Sequence, residues 1–296
     1  MDPRICFLNG RYVETRHATV PATDRGFLFG EGLFETWRTY RGRPFALEEH
    51  LRRMARSARQ LGIPFDADGP WAERTRRLVK LNSMTGMGSA VRLTITRGTG
   101  PVRLAPGPVA RPTRLMLLRR LDAGLAEART NGVGVNLLDF GVGGDTSMRR
   151  LKTINYLSAV IGKTEAARHG CFESIYRLAD GTLLEGMTTN VFVVRNSTLV
   201  TPPVADGVLP GVTRAIVLEI AKRIADVREA RITTEDVLDA EEAFLTSTTI
   251  EIVPIVRVRK RRAGGGCAGV LTRELQRRYR RRVARRVGLS EDELGE

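Results

Sequence analysis

Apolar residues at 5–8 and 11–13 flank Asn9-Gly10, a dipeptide suited to the left-handed positions of a two-residue turn, and predict a β-hairpin. Positions 33–40 alternate and lead into Arg41-Gly42, which predicts a second hairpin. Leu47, Leu51, Met54, Ala58 and Leu61 then recur at helical spacing until Gly62 and Pro64 stop the helix. Val91, Leu93 and Ile95 alternate with Arg92, Thr94 and Thr96, so Arg92 faces away from the apolar side of a strand. Further strands fit 114–118, 133–138, 172–177, 182–185, 190–194 and 243–246. Helices fit 153–168, 212–224 after Leu209-Pro210-Gly211, and a last one in which Leu271, Leu275, Tyr279 and Val283 form a stripe.

The polar stretch 119–130 reads as an interdomain loop. It separates a small N-terminal α+β domain, 1–118, from a larger C-terminal domain, 131–296. Strands and helices mix without the βαβ rhythm of a doubly wound parallel sheet, so the fold class is α/β of the mixed α+β kind. Arg259 to Arg262 and Gly264 to Gly266 read as a flexible loop before the last helix.

Composition narrows the classes. Length and 42% hydrophobic content fit a globular chain, and no apolar run reaches the length of a membrane span. Met1 to Gly10 lacks the pattern of a signal peptide, so the expectation is a cytoplasmic protein with no membrane partner. The three cysteines and three histidines are scattered, and no metal site is expected. A net charge of +15 raises nucleic-acid binding as a remote alternative. The dense run Arg277 to Arg286 fits the solvated face of a docked helix, so no nucleic-acid partner is expected.

Several features fit an anionic ligand. A helix starting after Pro210-Gly211 offers free N–H groups to a phosphate, Ser247-Thr248-Thr249 offers hydroxyls, and Arg53 offers a charged donor. Lys152 is a lysine in a chain dominated by arginine, and desolvation can turn such an amine into a nucleophile. Glu185 ends an apolar strand, where a carboxylate could pair with a protonated ring nitrogen. On spacing alone both also fit ordinary surface charges.

Taken together, six segments resemble the class IV pyridoxal-phosphate transaminases of fold type IV over nearly the whole chain. They are 24–36 (DRGFLFGEGLFET), 50–54 (HLRRM), 151–157 (LKTINYL), 184–192 (LEGMTTNVF), 209–214 (LPGVTR) and 246–252 (TSTTIEI). The resemblance implies a two-domain fold whose larger domain has a mixed sheet or barrel-like core and carries the cofactor lysine. It also implies a homodimer with active sites near the domain and subunit boundary. It implies that Lys152 holds pyridoxal 5′-phosphate covalently and moves a proton between the substrate α-carbon and cofactor C4′. Glu185 would keep the pyridine nitrogen protonated. Arg53, Val212, Thr213 and Thr248 would bind the phosphate, and Tyr156 the phenolic oxygen.

The family includes D-amino-acid transaminases, branched-chain L-amino-acid transaminases, R-selective amine transaminases and aminodeoxychorismate lyases, and the motifs are mixed. The Arg-x-His pair typical of the D-amino-acid enzymes is missing after Thr96-Arg97-Gly98, although Arg103 lies one residue from its place. Ser247-Thr248-Thr249 resembles that group, Asn155-Tyr156 and Arg38 resemble the branched-chain group, and Thr36 resembles the lyases. The expectation is an amino-acid transaminase, open to D-amino acids, with an aminodeoxychorismate lyase or a branched-chain L-amino-acid transaminase as the alternative. Phe34, Thr36, Arg38, Arg92, Arg103 and Thr249 are the candidate substrate residues, Arg92 being the candidate for the carboxylate.

Overall fold

A computed structural model describes residues 4–107, 111–139 and 146–295. The chain forms two compact units. The first comprises Met1–Leu121, Leu151–Asn155 and Val283–Glu296; the second comprises Asp122–Arg150 and Tyr156–Arg282. The sequence-based ranges 1–118, 119–130 and 131–296 divide the chain differently. They put the lysine segment with the C-terminal domain, whereas residues 151–155 pack with the first unit. Residues 119–130 are also no plain loop: a strand runs through Arg120 and a helix spans Leu125–Asn131.

In the first unit six strands pair antiparallel in the order Arg11–Glu14, Ile5–Leu8, Arg114–Arg120, Ser89–Thr96, Gly32–Tyr40, Arg43–Pro44. Both expected hairpins are present. Asn9 and Gly10 have φ of 49° and 96°, and Arg41 and Gly42 have 47° and 75°, the doubly positive pair that matches the twist of two strands. The helix Leu47–Gln60 lays Leu51, Met54 and Ala58 against Trp37, Leu93 and Ile95 in one core. A second helix, Trp71–Leu81, is not legible in the apolar pattern because it is dense in Arg. It buries Thr75 by returning the hydroxyl to the Trp71 carbonyl at 2.8 Å, which makes a polar residue serve as a core one.

The helix expected from 153 begins instead at Leu157. Residues 152–154 line the edge of Gly32–Tyr40: Phe34 N–H donates to the Lys152 carbonyl at 2.9 Å, and Ile154 N–H donates to the Gly32 carbonyl at 3.1 Å. Unpaired edge groups near Gly32 supply partners that a helical turn could not use, so strand pairing wins over helical propensity.

In the second unit a mixed sheet runs Asp226–Glu229, Thr198–Thr201, Asn190–Arg195, Glu242–Ser247, Glu251–Val258, Val133–Leu138, Glu173–Arg177, Thr182–Gly186, Ile232–Thr233. Its two ends are strands separated by only Ala230 and Arg231. Three Cα steps span at most about 11 Å, so the sheet curls until its edges nearly meet, a half-barrel. Residues 259–262, expected as a loop, instead turn a short hairpin in which Arg261–Arg262 pairs back on Arg257 and Val258. The helix Val270–Val287 buries Leu275, Tyr279 and Val283 as its stripe predicts. Several of its arginines face acids: Arg278 pairs with Glu274, and Arg282 with Glu219 at 2.7 Å. Among the described residues no helix is long and apolar enough to cross a membrane.

Candidate active site

In the first unit, candidate residues gather on two faces of one strand. Direct cross-strand partners share a face, and Phe34 pairs with Thr94 while Thr36 pairs with Arg92. Phe34, Thr36, Arg38, Arg92 and Thr94 therefore line one side. Arg92 donates to the Thr94 hydroxyl at 3.3 Å and stacks its guanidinium 3.5 Å from the centre of the Phe34 ring. The Lys152 amine lies 4.6 Å from the same ring centre. The backbone bond from Phe34 to the Lys152 carbonyl fixes the lysine beside that ring. Arg38 is fully buried with its guanidinium 4.4 Å from the Tyr40 ring. Arg103 lies apart, in the exposed stretch 101–106. Its carbonyl, with those of Pro101 and Leu104, accepts from the buried Arg25 guanidinium at 2.8–2.9 Å.

On the other face of the strand Glu35 is 1% exposed. Its carboxylate takes two charged hydrogen bonds from Arg53, at 2.6 and 2.8 Å, and meets His50 Nδ1 at 2.7 Å. Burial alone would raise the carboxyl pKa, but the Arg53 charge and hydrogen bonds, helped by His50, bring it down to about 2. A carboxylate only accepts, so His50 Nδ1 carries the proton. Burial outweighs Glu35 and lowers the His50 pKa, so the ring is neutral near pH 7 with Nε2 as an acceptor. Two of the five Arg53 donors thus go to Glu35, which holds the guanidinium in place.

In the second unit, Glu185 accepts from the Asn190 amide at 3.2 Å and from Leu209 N–H at 3.0 Å. The same Asn190 amide donates to the Leu209 carbonyl at 3.1 Å, and Asn190 stands directly opposite Thr246 across two strands. Gly211 caps the helix Val212–Ala221 without a side-chain bond, leaving the N–H groups of Val212 and Thr213 unused by the helix itself. A Cβ at Gly211 would overlap the Asn190 amide oxygen, so only glycine permits this close packing. The hydroxyls of Thr213 and Thr246 are buried and have no hydrogen-bond partner among the described residues. Thr248 and Thr249 are half-buried in the three-residue turn between Glu242–Ser247 and Glu251–Val258. Tyr156 starts the helix Leu157–Arg168 and packs on a small core with Leu184 and Met187.

Each unit offers groups that fit pyridoxal phosphate: the first an amine, Lys152; the second a fixed carboxylate, Glu185, and a helix start whose N–H groups and orphaned Thr213 hydroxyl suit a phosphate. Alanine at Gly211 should push the Asn190 amide away from Glu185 and the helix start. The expected result is about tenfold weaker cofactor binding, read by fluorescence titration of the apoprotein.

Three residues escaped the sequence reading although each lies in a matched segment. A glutamate on the core side of an apolar strand was the signal for Glu35. His50, in the first turn of a helix rich in arginine, had no such signal, nor did Asn190, whose role depends on Leu209 arriving from elsewhere in the chain.

Comparison with known proteins agrees with this picture. The family model "Amino-transferase class IV" matches residues 32–258. The aminodeoxychorismate lyase of Bacillus subtilis is 31% identical, covering 94% of each chain. The D-alanine aminotransferase of Bacillus licheniformis is also 31% identical, covering 90% of this chain and 93% of its own. The solved branched-chain aminotransferase of Thermoproteus uzoniensis, with norvaline, superposes with a TM-score of 0.85 at 28% identity, covering 98% and 97%. With its curled mixed sheet and its matched segments in order, the chain belongs to the class IV aminotransferases, enzymes of fold type IV that as a class depend on pyridoxal phosphate.

Proposed function

We propose that the protein binds pyridoxal 5′-phosphate at Lys152 and moves an amino group between an amino acid and a 2-oxo acid. The observation that carries this reading is the Phe34 ring, which touches both the Lys152 amine and the Arg92 guanidinium. A base held beside a carboxylate-binding cation is what proton removal from an amino-acid α-carbon needs. The cofactor, when bound, supplies the electron sink for that carbon. Lys152 would hold the cofactor and serve as the base that moves the substrate α-proton. Glu185, oriented by Asn190 and Leu209, holds the pyridine nitrogen protonated. The N–H groups of Val212 and Thr213, the Thr213 and Thr248 hydroxyls and Arg53 bind the phosphate, and Tyr156 the phenolic oxygen. Arg92 takes the substrate carboxylate, and Phe34, Thr36, Arg38, Arg103 and Thr249 shape what reaches it. The working form is a cytoplasmic homodimer acting on small-molecule substrates.

Purified protein should be yellow, and a panel of D- and L-amino acids should convert its spectrum in half-reactions. Conversion by no amino acid would sink the reading. Arg92→Ala should lower kcat/KM for amino acids about 10- to 100-fold, the cost of one charge-assisted contact, with the cofactor spectrum unchanged. Unchanged kinetics would remove Arg92 from the site.

A second reading has one observation in its favour. Thr36 stands directly across from Arg92, on the face that Lys152 approaches, where a hydroxyl can pass a proton. That arrangement suits the lyase reaction, which releases pyruvate and 4-aminobenzoate from aminodeoxychorismate. Formation of 4-aminobenzoate from that substrate decides between the two.

A further inference from the structure

Glu173 is a buried acid that the proposed chemistry leaves unused. It lies in the strand Glu173–Arg177 with no exposed surface. Removing a carboxylate from water is unfavourable unless its oxygens are well bonded, and here they are. One oxygen accepts from the Lys163 amine at 3.1 Å and from Ser174 N–H at 3.2 Å. The other accepts from Thr188, through the hydroxyl at 2.8 Å and the N–H at 3.3 Å, and from the Thr189 hydroxyl at 3.4 Å.

The recipients are what matter. Thr188 and Thr189 form the turn that links Glu185 to Asn190. Gly186 N–H donates to the Thr189 carbonyl at 2.8 Å, which closes that turn. A Cβ at Gly186 would collide with the Thr189 hydroxyl and overcrowd the Glu173 side chain, so the carboxylate is packed tight against the turn. Asn190, the next residue, holds the Glu185 carboxylate at 3.2 Å. A linked series thus runs from Lys163 through Glu173 and the Thr188-Thr189 turn to Asn190 and Glu185.

We propose that Glu173 is a positioning residue that keeps Glu185 aimed at the pyridine nitrogen of the cofactor; this rests on the cofactor reading above. Glu173 never touches the cofactor. Its carboxylate fixes the turn, the turn fixes Asn190, and Asn190 holds the Glu185 carboxylate in place. The interaction is specific to one atom of the cofactor, which gives it a signature that general stabilisation lacks.

The test compares two cofactors on the holoenzyme: pyridoxal phosphate, and its 1-deaza analogue in which the ring nitrogen is replaced by C–H. Glu173→Gln keeps the shape but turns an amide N–H toward the donors of the turn. It should weaken pyridoxal phosphate about tenfold, the scale on which outer partners of a bound group act. The 15N resonance of the labelled ring should move toward the unprotonated position, while affinity for the deaza analogue stays within about twofold of wild type. Equal weakening for both cofactors, or an unchanged 15N signal, overturns the proposal. Should Glu173→Gln fail to fold, the exposed Thr188 decides. Thr188→Val should shift the 15N signal in the same direction and Thr188→Ser should restore it; identical signals in both variants overturn the proposal. A wild-type protein with no visible band overturns the cofactor reading and this inference together, whereas a wild-type band with an unaltered Glu173→Gln spectrum overturns the inference alone.

Discussion

Replacing Lys152 with alanine should give a folded protein that lacks the visible absorption band and has lost transamination by a factor of at least about 10⁴. Two roles end with the one amine. The covalent hold on the cofactor goes, and so does the base that moves the proton, which alone contributes about 10²–10⁴-fold. The fold should survive, because the lysine contributes to the sheet through its backbone: its carbonyl still accepts from Phe34, and Thr153 still bridges Leu33. Absorption spectra of protein reconstituted with pyridoxal phosphate, beside thermal melts, check both halves of the claim. A retained band that borohydride bleaches, leaving the cofactor covalently fixed to the protein, would place the covalent bond on another lysine. Added small amines that restored part of the rate in Lys152→Ala would confirm the proton-moving role independently.

Glu35→Ala is expected to be the most damaging change to stability in the first unit. It takes from the Arg53 charge, 6% exposed, the carboxylate it donates to twice, and from the buried His50 ring a hydrogen-bond acceptor. Breaking a buried pair from one side costs about 3–5 kcal/mol, and urea midpoints at pH 7 read the loss. The same cluster sets an acid limit. The Glu35 carboxyl goes from an ordinary 4.5 to about 2 on folding, so its stabilisation is complete above pH 4.5 and is lost as the pH falls toward 2. Two and a half units correspond to about 3 kcal/mol. The lowered pKa of His50 acts in the same direction from a higher starting point: stability is lost as pH falls below its ordinary 6.5, because the unfolded chain takes up the proton more readily. Wild type should therefore weaken in two stages on acidification. Glu35→Gln should lose the lower stage. An acid profile of Glu35→Gln that matched wild type would show that Glu35 carries no such linkage.

The fold was legible where local chemistry decides the outcome. Asn9-Gly10 and Arg41-Gly42 mark their turns by the backbone angles they tolerate, and Val91, Leu93 and Ile95 mark a strand by alternation. It was not legible where distant segments override local preference. Thr153 to Tyr156 continue a helical pattern, yet the edge of Gly32–Tyr40 offers them hydrogen bonds that the sequence around them cannot reveal. Trp71–Leu81 hides behind its arginines, since its buried face includes a threonine satisfied within the helix itself.

The site divides in the same way. Lys152, Glu185 and the Gly211 helix start stand out through the resemblance of their segments, since on spacing alone the two charges fit ordinary surface residues. Arg92 was placed correctly on the polar face of its strand by alternation alone, and its stacking on Phe34 adds a reason for its orientation. Arg53 shows what a linear reading omits. As a charged donor for a phosphate it has a further role in the fold, giving two of its hydrogen bonds to Glu35, a residue the charge pattern does not single out.

Neither unit is a continuous piece of chain, and that has a consequence for how the protein must be made and handled. The first unit draws on residues 151–155 and 283–296, which are synthesised long after its sheet. Until residues 287 and 288 emerge, Arg43 lacks the two carbonyls it grips at 2.8 and 2.6 Å, and Glu49 lacks Arg286. The nascent first unit therefore has its Gly32–Phe34 edge bare until residues 152–154 emerge, and it stays incomplete until residues 283–296 follow. Expressing residues 4–121 alone would yield this incomplete state, with an open strand edge that invites aggregation.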